Sequence, residues 1–388
     1  MKRKVVLHLV TWYPSSDNNI DGIFIRRHVE LLRADNSYEH IVVQKSSSKF
    51  SIVQHLLSLL GSFTRRVIGT TEVIQLPVES VLYNRFFWRY KKAIEKKQVE
   101  KLVRKYKPLL CHLHVVYGFG EEAVYLKKHL GIPFIVTEHM APFPFDWLHN
   151  KQQTVIQPML EATTVTAVGQ AQANQIEAYT GVKPVIVHNM VSAKEFFYKA
   201  HATIDPSVKL EIIFVGIYDK RKGVDYLLKV FPQFLQQYPK TVLHLVGNAD
   251  EERMKLINES VEEGKIASNV KFHGRLAAAE LCQLFHSCDF YVCSSEWESF
   301  GVSVLEALFT GLPVLSTACG GVQEFMRPDN GLLISNDRTQ KTLLNGLLQM
   351  TANIHSYNRE FISTETTNRF SGERIRNDFY SIYNQVQG

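Results

Sequence analysis

The sequence is poor in cysteine, and none of its cysteines lies in a paired motif. Five cysteines among 388 residues give an odd count with no Cys-x-x-Cys spacing. They are Cys111, Cys282, Cys288, Cys293 and Cys319. A disulfide framework needs paired cysteines, so this pattern excludes a disulfide-stapled scaffold and is typical of a reduced, cytoplasmic protein with buried thiols.

Long apolar runs are also absent. No stretch of about 18 apolar residues occurs, so we expect no transmembrane helix. The apolar run at residues 5–10 follows a basic start, but it is short, contains His8 and has no small-residue cleavage site behind it. It therefore predicts a first β-strand rather than a signal peptide.

The sequence shows no internal repeat and no low-complexity tract. Its 45% hydrophobic and 21% charged residues are ordinary values, which predict a globular protein with sizeable cores. At about 150 residues per domain, the length predicts two to three domains. The net charge of +6 is mild, so where the basic residues lie matters more than their sum.

Short β-branched runs alternate with helical apolar spacing along the whole chain. The strand candidates are residues 5–10, 40–44, 72–76, 109–113, 133–137, 163–168, 184–188, 209–215, 241–246, 268–273, 289–293, 312–316 and 331–334. Helical spacing is evident at 222–237, 277–287 and 302–310. This alternation predicts parallel sheets covered by helices on both faces, the doubly wound α/β class.

The thirteen strand candidates predict that the chain is divided into domains, because one open sheet rarely contains so many strands. Residues 196–209 are polar, contain Pro206 and have no clear period, so we expect the linker there. The prediction is two Rossmann-like domains, 1–200 and 201–370, with a last helix in 371–388 that packs back on the first. Two such domains facing each other form a cleft at the carboxyl ends of their strands, where ligands of open α/β sheets bind.

The most informative stretch is "ESFGVSVLE", residues 298–306, which follows a predicted strand and enters a helix near Val302. Free N–H groups at a helix start suit a phosphate, and Gly301 lets a ligand approach the backbone. The carboxylates of Glu298 and Glu306 would accept hydrogen bonds from ligand hydroxyls. Alternatively, Ser303-x-x-Glu306 is a capping box and Glu298 is one more exposed acid. The residues alone leave these two interpretations open, although we see no structural role for Glu298.

A second stretch, "FVGIYDKRKGVDYLL" at 214–228, places Arg221 and Lys222 in a loop between a strand and a helix. Such cations at the carboxyl end of a strand would bind a diphosphate. The alternative is a solvated basic turn, which is the commoner fate of such a run.

Histidines form a third group of candidates. His139 ends a predicted buried strand and is a candidate for acid/base chemistry or for a sugar hydroxyl, against the default of a structural histidine. The sequence "CHLH" at 111–114 offers two metal ligands at most, and with no third ligand evident we expect no metal site. The loop at 11–24 leads to Gly22 at a helix start but lacks Gly-x-Gly-x-x-Gly, so no dinucleotide cofactor is expected.

Basic residues concentrate in 83–107, which also carries several aromatic residues. Together with 55–69, this segment predicts a surface that meets anionic lipid, and the alternative is a solvated helix. No recognised nucleic-acid-binding module accompanies the charge, so nucleic acid is not an expected partner.

In this order and spacing, these pieces resemble the retaining family 4 glycosyltransferases of GT-B fold, which use nucleotide-sugar donors. The most specific match is the Glu-x7-Glu element at 298–306, followed by "GLPVLSTACGGVQEFM" at 311–326. The resemblance implies that Glu306 binds the ribose of the nucleotide and that Glu298 contacts the donor sugar. It also implies that the backbone of Phe300, Gly301 and Val302 holds the diphosphate.

The same resemblance implies roles for five further residues. Lys222 would neutralise the diphosphate, and the chain at Arg275 and Leu276 would flank the base. His139 and Gly22, from the first domain, would close over the sugar and the acceptor. No Asp-x-Asp sequence occurs, so a metal-bridged diphosphate is not expected, and a basic side chain with a helix dipole takes its place.

Two positions depart from the family pattern. The family usually has an arginine where this chain has Ile217, and Arg221 would compensate from the loop; Gly169 stands where a serine is usual. The implied reaction is transfer of a hexosyl-type sugar to a glycan or lipid-linked acceptor, by an enzyme that is cytoplasmic or peripheral on the inner face of the plasma membrane. The alternatives are an epimerase or hydrolase of the same fold, and a degenerate nucleotide-sugar-binding scaffold, which Ile217 would favour.

Overall fold

The computed structural model describes residues 3–14, 22–46, 52–77, 90–140, 142–145, 148, 152–200 and 208–386. The chain forms two compact units, one of Met1–Met190 with Gly372–Gly388 and one of Val191–Ser371. The described residues of the expected linker, 196–200 and 208–209, belong to the second unit, and residues 201–207 lie outside the described part. Each unit is an α/β sheet with helices on its faces, which confirms the predicted fold class.

The first unit is built on an eight-stranded sheet with the strand order β3-β4-β2-β1-β5-β6-β7-β8. The strands are β1 Lys4–Val10, β2 Tyr38–Ser46, β3 Thr64–Ile68, β4 Thr71–Pro77, β5 Leu110–His114, β6 Phe134–Glu138, β7 Thr164–Ala167 and β8 Val185–Ile186. All neighbours pair in parallel except β3 and β4. The prediction of purely parallel pairing is wrong at this edge, because only Gly69 and Thr70 separate the two strands and so short a turn permits only a hairpin.

Helices cover both faces of this sheet. They are α1 Ile23–Arg33, α2 Ile52–Leu59, α3 Lys91–Tyr106, α4 Gly120–Leu130, α5 Gln153–Glu161, α6 Gln170–Thr180 and, from the end of the chain, α13 Gly372–Gln385. Successive strand residues point to opposite faces, so Leu7 and Leu9 join one apolar core while Val6 joins another. Both faces are thus buried, as a parallel sheet requires.

The last helix, α13, completes the second of these cores. Its side chains Ile375, Phe379 and Ile382 pack with Val6 and Leu110 from the strands, and all five are at most 4% exposed. Burying a large apolar side chain stabilises a fold by about 1.5–3 kcal/mol. A segment at the very end of the chain therefore supplies a substantial part of the core of the first unit.

The second unit has a six-stranded, fully parallel sheet with the order β11-β10-β9-β12-β13-β14. The strands are β9 Leu210–Val215, β10 Thr241–Val246, β11 Val270–Gly274, β12 Phe290–Cys293, β13 Val314–Thr317 and β14 Gly331–Ile334. The helices are α7 Val224–Gln237, α8 Glu251–Glu263, α9 Ala278–Ser287, α10 Val302–Phe309, α11 Gln340–Ala352 and α12 Arg359–Arg369. The helices predicted at 222–237, 277–287 and 302–310 are confirmed within two residues.

The five cysteines are free and buried, which confirms the prediction of buried thiols outside a disulfide framework. No helix in the described residues is long and apolar enough to cross a lipid bilayer.

Candidate active site

The candidate residues of the second unit lie in loops that leave one edge of its sheet. Because all its strands run in parallel, the loops that follow β9, β11, β12 and β13 all start from the carboxyl-end edge. The loop after β9 carries Arg221 and Lys222, and the loop after β12 carries Glu298. The sheet thus brings together segments that are far apart in sequence.

An ion pair between Lys222 and Glu298 joins two of these loops. Lys222 Nζ lies 2.7 Å from Glu298 Oε1 and 2.9 Å from Oε2. The two side chains are 19% and 9% exposed, so the pair is largely withdrawn from water. Ser295 Oγ donates a further hydrogen bond of 2.7 Å to Glu298 Oε1.

These contacts keep the Glu298 carboxylate ionised. Burial by itself raises the pKa of a carboxyl group, but the charge of Lys222 and the hydrogen bonds from Lys222 and Ser295 outweigh it, and the pKa of Glu298 is lowered. An ionised carboxylate only accepts hydrogen bonds. It can therefore bind sugar hydroxyls, but it cannot donate a proton.

The backbone of Glu298 is held as tightly as its side chain. Glu298 N donates to Cys319 O at 2.7 Å, and Gly321 N donates to Glu298 O at 2.9 Å. This approach needs glycine, because a Cβ on Gly320 would lie 2.7 Å from Glu298 O and one on Gly321 2.3 Å from Ser299 O. The expectation that Glu298 has no structural role, and the alternative that it is an exposed acid, are both wrong.

The start of helix α10 lies just after this residue. Gly301 is the N-cap, with φ 90°, and no side chain caps the helix. The alternative interpretation as a capping box is therefore wrong, since Ser303 lies inside the helix, where its Oγ is 2.9 Å from Tyr291 Oη. Glu306 lies in the second turn and is 8% exposed, so it is a buried carboxylate rather than a cap.

At Phe300, the candidate group for binding a phosphate is the backbone and not the side chain. Its ring is fully buried and packs edge-on against Phe325 and Phe370, with centroids 5.3 and 6.1 Å away. The ring anchors the turn, and the first N–H groups of α10, at Val302 and Ser303, carry the positive end of the helix dipole.

The loop after β9 is ordered by its own contacts. Lys222 N donates to Asp219 Oδ1 at 2.7 Å, and Gly223, the N-cap of α7, has φ 76°. A Cβ on Gly223 would lie 2.0 Å from Ser294 O, so only glycine fits. Arg221 Nη1 donates to Trp297 O at 3.2 Å, which joins the basic loop to the loop of Glu298. Ile217, where the family usually has an arginine, is 53% exposed.

Arg275 and Leu276 follow β11 at the same edge of the sheet. Arg275 Nε donates to Asn248 Oδ1 at 2.9 Å, and Asn248 follows β10. This contact links neighbouring loops, and it is compatible with the flanking position that the resemblance implies.

The first-unit candidates, Gly22 and His139, lie near each other across the start of α1. Gly22 is the N-cap, with φ 74°, and a Cβ on it would lie 2.7 Å from the carbonyl group of Trp12. Phe24, two residues later, packs against the His139 ring at 4.7 Å. His139 is 6% exposed, and burial lowers its pKa well below the usual range, so its imidazole is neutral. Residues 15–21 of the preceding loop lie outside the described part.

Sequence reasoning missed a cluster of buried histidines in the first unit. The prediction that "CHLH" has no third metal ligand nearby is wrong. His112 and His114 lie close to His8, and His114 also lies close to His28 and His139. In each group of three, the nitrogens lie within 4.8 Å of one another. The i, i+2 spacing indicated that His112 and His114 share a face, but only the register of the strands reveals what lies beside them.

Comparison with known proteins identifies the family. A family model described as "Glycosyltransferase Family 4" matches residues 51–195, and one described as "Glycosyl transferases group 1" matches residues 197–362. The chain belongs to glycosyltransferase family 4. The two matches follow one another along the chain and together span most of it.

Some curated relatives of this glycosyltransferase match nearly the whole chain, and others match about half of it. An uncharacterized 41.2 kDa protein in the cps region of Klebsiella pneumoniae is 29% identical over 89% of this chain and 91% of its own length. A sulfoquinovosyl transferase of Arabidopsis thaliana is 25% identical over 58% of the chain, and a phosphatidyl-myo-inositol mannosyltransferase of Mycobacterium tuberculosis is 27% identical over 45%. The matched region is 46% of the length of each of the latter two.

Solved structures of glycosyltransferases share the GT-B fold with this chain. Sucrose-phosphate synthase from Thermosynechococcus elongatus has a TM-score of 0.80 at 18% identity and covers 99% of both chains. Anabaena HepE in complex with UDP has a TM-score of 0.74 at 16% identity, covering 98% of this chain and 100% of its own. At these identities the likeness establishes the fold.

Proposed function

We propose that this glycosyltransferase moves a hexosyl-type sugar from a nucleotide-sugar donor to a glycan or lipid-linked acceptor, with retention of configuration and without a metal at the diphosphate. The observation that carries the proposal is the buried Lys222–Glu298 pair beside the uncapped start of α10. A basic amine, an ionised carboxylate and a positive helix end meet there, and a nucleotide-sugar presents complementary groups to all three.

The leaving group determines what these residues must do. As the glycosidic bond breaks, the nucleoside diphosphate gains negative charge, and preorganised positive groups lower the barrier. An ammonium group has three N–H donors, and two bonds to Glu298 leave Lys222 with capacity to meet a phosphate oxygen. The N–H groups of Val302 and Ser303 are the second source of positive potential.

The carboxylates are assigned to hydroxyl groups. Glu298 accepts hydrogen bonds from the donor sugar, and Glu306 accepts them from the ribose. The backbone at Phe300–Val302 holds the diphosphate, and Arg221, Arg275 and Leu276 contribute at the diphosphate and the base. In the first unit, His139 and Gly22 are assigned to the sugar and the acceptor.

Relatives and structural neighbours support the donor and acceptor classes. Anabaena HepE is described in complex with UDP and with UDP-glucose, and a phosphatidyl-myo-inositol mannosyltransferase and a sulfoquinovosyl transferase are named among the relatives. The relative of similar length is encoded in a cps region. We therefore favour a lipid-linked precursor of a cell-surface polysaccharide as acceptor, used at the cytoplasmic face of the membrane.

An exposed apolar helix supports contact with that membrane. On α2, Val53, Leu56 and Leu57 are 43–63% exposed, and Leu60 just beyond it is 77% exposed. Gln98 Nε2 donates to Ser58 Oγ at 2.7 Å, which joins α2 to the lysine-rich helix α3. Apolar side chains next to a basic surface are typical of helices that lie on anionic lipid. Residues 83–89 of the predicted basic segment lie outside the described part.

Thermal unfolding of the purified chain with UDP-, GDP- and ADP-sugars identifies the donor, because binding to the folded state alone raises the melting temperature. Products are then identified by mass spectrometry with and without a lipid-linked acceptor. Transfer that requires the acceptor supports the proposal. Free sugar or an epimerised donor without acceptor would instead show the hydrolase or epimerase, and binding without turnover would show a degenerate scaffold.

A further inference from the structure

Six histidines lie together inside the first unit, in a layer that a parallel sheet usually fills with aliphatic side chains. They are His8, His28, His40, His112, His114 and His139, and each is at most 6% exposed. Strand register explains the assembly, because His8 of β1 pairs with His112 of β5, and Val10 pairs with His114. Helix α1 adds His28 from above, and the end of β6 adds His139.

Hydrogen bonds divide these histidines into two classes. His8 uses both ring nitrogens, with Nδ1 3.0 Å from His114 Nε2 and Nε2 2.8 Å from His40 Nδ1. His112 also uses both, at 2.7 Å from Tyr383 Oη and 2.7 Å from Thr137 Oγ1. These two imidazoles have no nitrogen to spare for a ligand.

The second class retains buried nitrogens without a partner. Among the described residues, His28 Nδ1, His40 Nε2, His114 Nδ1 and both nitrogens of His139 make no hydrogen bond. Buried polar atoms are normally satisfied, so several orphaned nitrogens at one place need an explanation. Of these four residues, His28, His114 and His139 form one of the two groups whose nitrogens lie within 4.8 Å of one another, and His40 belongs to neither group.

The tautomer of His28 follows from its one hydrogen bond. His28 Nε2 lies 3.2 Å from the carbonyl oxygen of His188, and a carbonyl only accepts, so Nε2 carries the proton. In the neutral ring, His28 Nδ1 then carries an unprotonated lone pair, and it is buried without a partner. If His114 Nε2–H donates to His8 Nδ1 and His8 Nε2–H donates to His40 Nδ1, His114 Nδ1 is bare as well.

We propose that His28, His114 and His139 bind a divalent first-row transition metal, with Zn²⁺ the best match. Three neutral imidazoles are the ligand type that zinc and its neighbours prefer. Ligating histidines usually donate their other N–H to a carbonyl group or a further acceptor, and His28 and His114 make such bonds to His188 and His8.

A fourth ligand is at hand in Asn189. Its side chain is 4% exposed and lies beside His139, and Asn189 Oδ1 is among the buried oxygens without a hydrogen-bond partner in the described residues. An amide oxygen with three imidazole nitrogens would complete a tetrahedral set. The site goes beyond the proposed function, because it adds a metal-binding role in the first unit; of its ligands, only His139 is also among the residues assigned to the sugar and the acceptor.

The test uses the full-length protein, refolded with Zn²⁺ or Co²⁺ because the ligands are buried, and then passed through a chelating column. We expect about one ion per chain by elemental analysis, the intense visible absorption of tetrahedral Co²⁺, and a higher melting temperature than for protein refolded with chelator. Absence of bound metal in the wild type would overturn the proposal.

Matched variants separate the two histidine groups. His28→Gln is expected to lose the ion and the cobalt absorption, whereas His112→Gln, a buried histidine with both nitrogens satisfied, is expected to keep them. Loss in His112→Gln with retention in His28→Gln would assign the metal to the other group and contradict the proposal. Circular dichroism verifies that each variant is folded.

A measurement on the wild type covers the case in which a variant does not fold. X-ray absorption of the zinc-loaded protein is expected to show imidazole scattering with ligands at about 2.0–2.1 Å. Sulfur ligands at about 2.3 Å would place the ion at cysteines and refute the histidine site.

Discussion

Lys222 Nζ contacts both carboxylate oxygens of Glu298, across 76 residues of sequence and with little exposure to water. The pair has two consequences that compete. It holds a carboxylate ionised for a ligand hydroxyl, and it engages the same ammonium group that a diphosphate would need. Donor binding therefore requires Lys222 to share its donors between the carboxylate and the diphosphate.

The first prediction concerns catalysis at this pair. Glu298→Gln removes the charge but keeps the shape, and we expect kcat/KM to fall about 10²–10³-fold, as when one preorganised polar contact is lost. For Lys222→Met, we expect kcat/KM to fall at least as far, because the leaving diphosphate loses the cation that stabilises it. Both are measured by initial rates of transfer. The control is Glu296→Gln, an exposed neighbour; equal losses in all three variants would show that the effect is not specific to the pair.

The second prediction concerns stability. Removing one partner of a buried ion pair leaves the other charge uncompensated, which costs about 3–5 kcal/mol. We expect Glu298→Ala and Lys222→Met each to lower the free energy of unfolding by about this amount, and the double variant to lose less than the sum. Urea denaturation measures all three. An additive double variant would show that the two side chains do not interact in solution.

The third prediction is the pH dependence of that stability. The pKa of Glu298 is lowered in the folded protein, so its contribution is fully present above its ordinary value of 4.5 and is lost as the pH falls through the folded value. The difference in unfolding free energy between wild type and Glu298→Gln should shrink below about pH 4.5. A difference that grows in acid would contradict the lowered pKa.

The fourth prediction separates backbone strain from crowding at the start of α10. Gly301→Ala places an alanine at φ 90° with its Cβ 2.5 Å from Val322 Cγ2. Left-handed strain alone costs about 1–2 kcal/mol, so we expect the free energy of unfolding to fall by clearly more than that. Gly181→Ala is the control, since Gly181 has φ 72° and nothing within 4 Å of the added Cβ. Equal losses in urea denaturation would show that the turn relaxes freely.

The fifth prediction concerns the membrane. Replacing Leu56 and Leu60 by glutamine should reduce sedimentation with anionic vesicles, because the exposed apolar surface of α2 is removed. The matched control is Leu160→Gln, a 51% exposed leucine on α5. If the control loses binding as much as the double variant does, α2 is not the contact surface.

The sequence was sufficient for what depends on local pattern. Thirteen strands could be placed because β-branched runs and turn residues report their own conformation, and β3 was missed because its two arginines break the apolar pattern. The candidate loop at 298–306 was found because a glycine and a helix start are local signals. The family followed from the order of such motifs.

Long-range contacts were beyond local pattern. Nothing near Glu298 in sequence indicates that Lys222 and the Gly320–Gly321 turn lie against it, although the two adjacent glycines are a signal for close backbone approach. The histidine cluster was hidden for the same reason. Its members come from β1, β2, β5, the end of β6 and helix α1, and their proximity depends on the register between β1 and β5.

Because α13 follows the whole second unit in sequence, its position affects synthesis on the ribosome. The face formed by Val6, Leu110 and Ile135 is made early, but the helix that covers it begins at Gly372. At about 5–20 residues per second, that apolar face waits roughly 10 to 35 seconds after Met190 for its cover. The first unit is therefore completed after the second, and during translation it presents the kind of surface that chaperones bind.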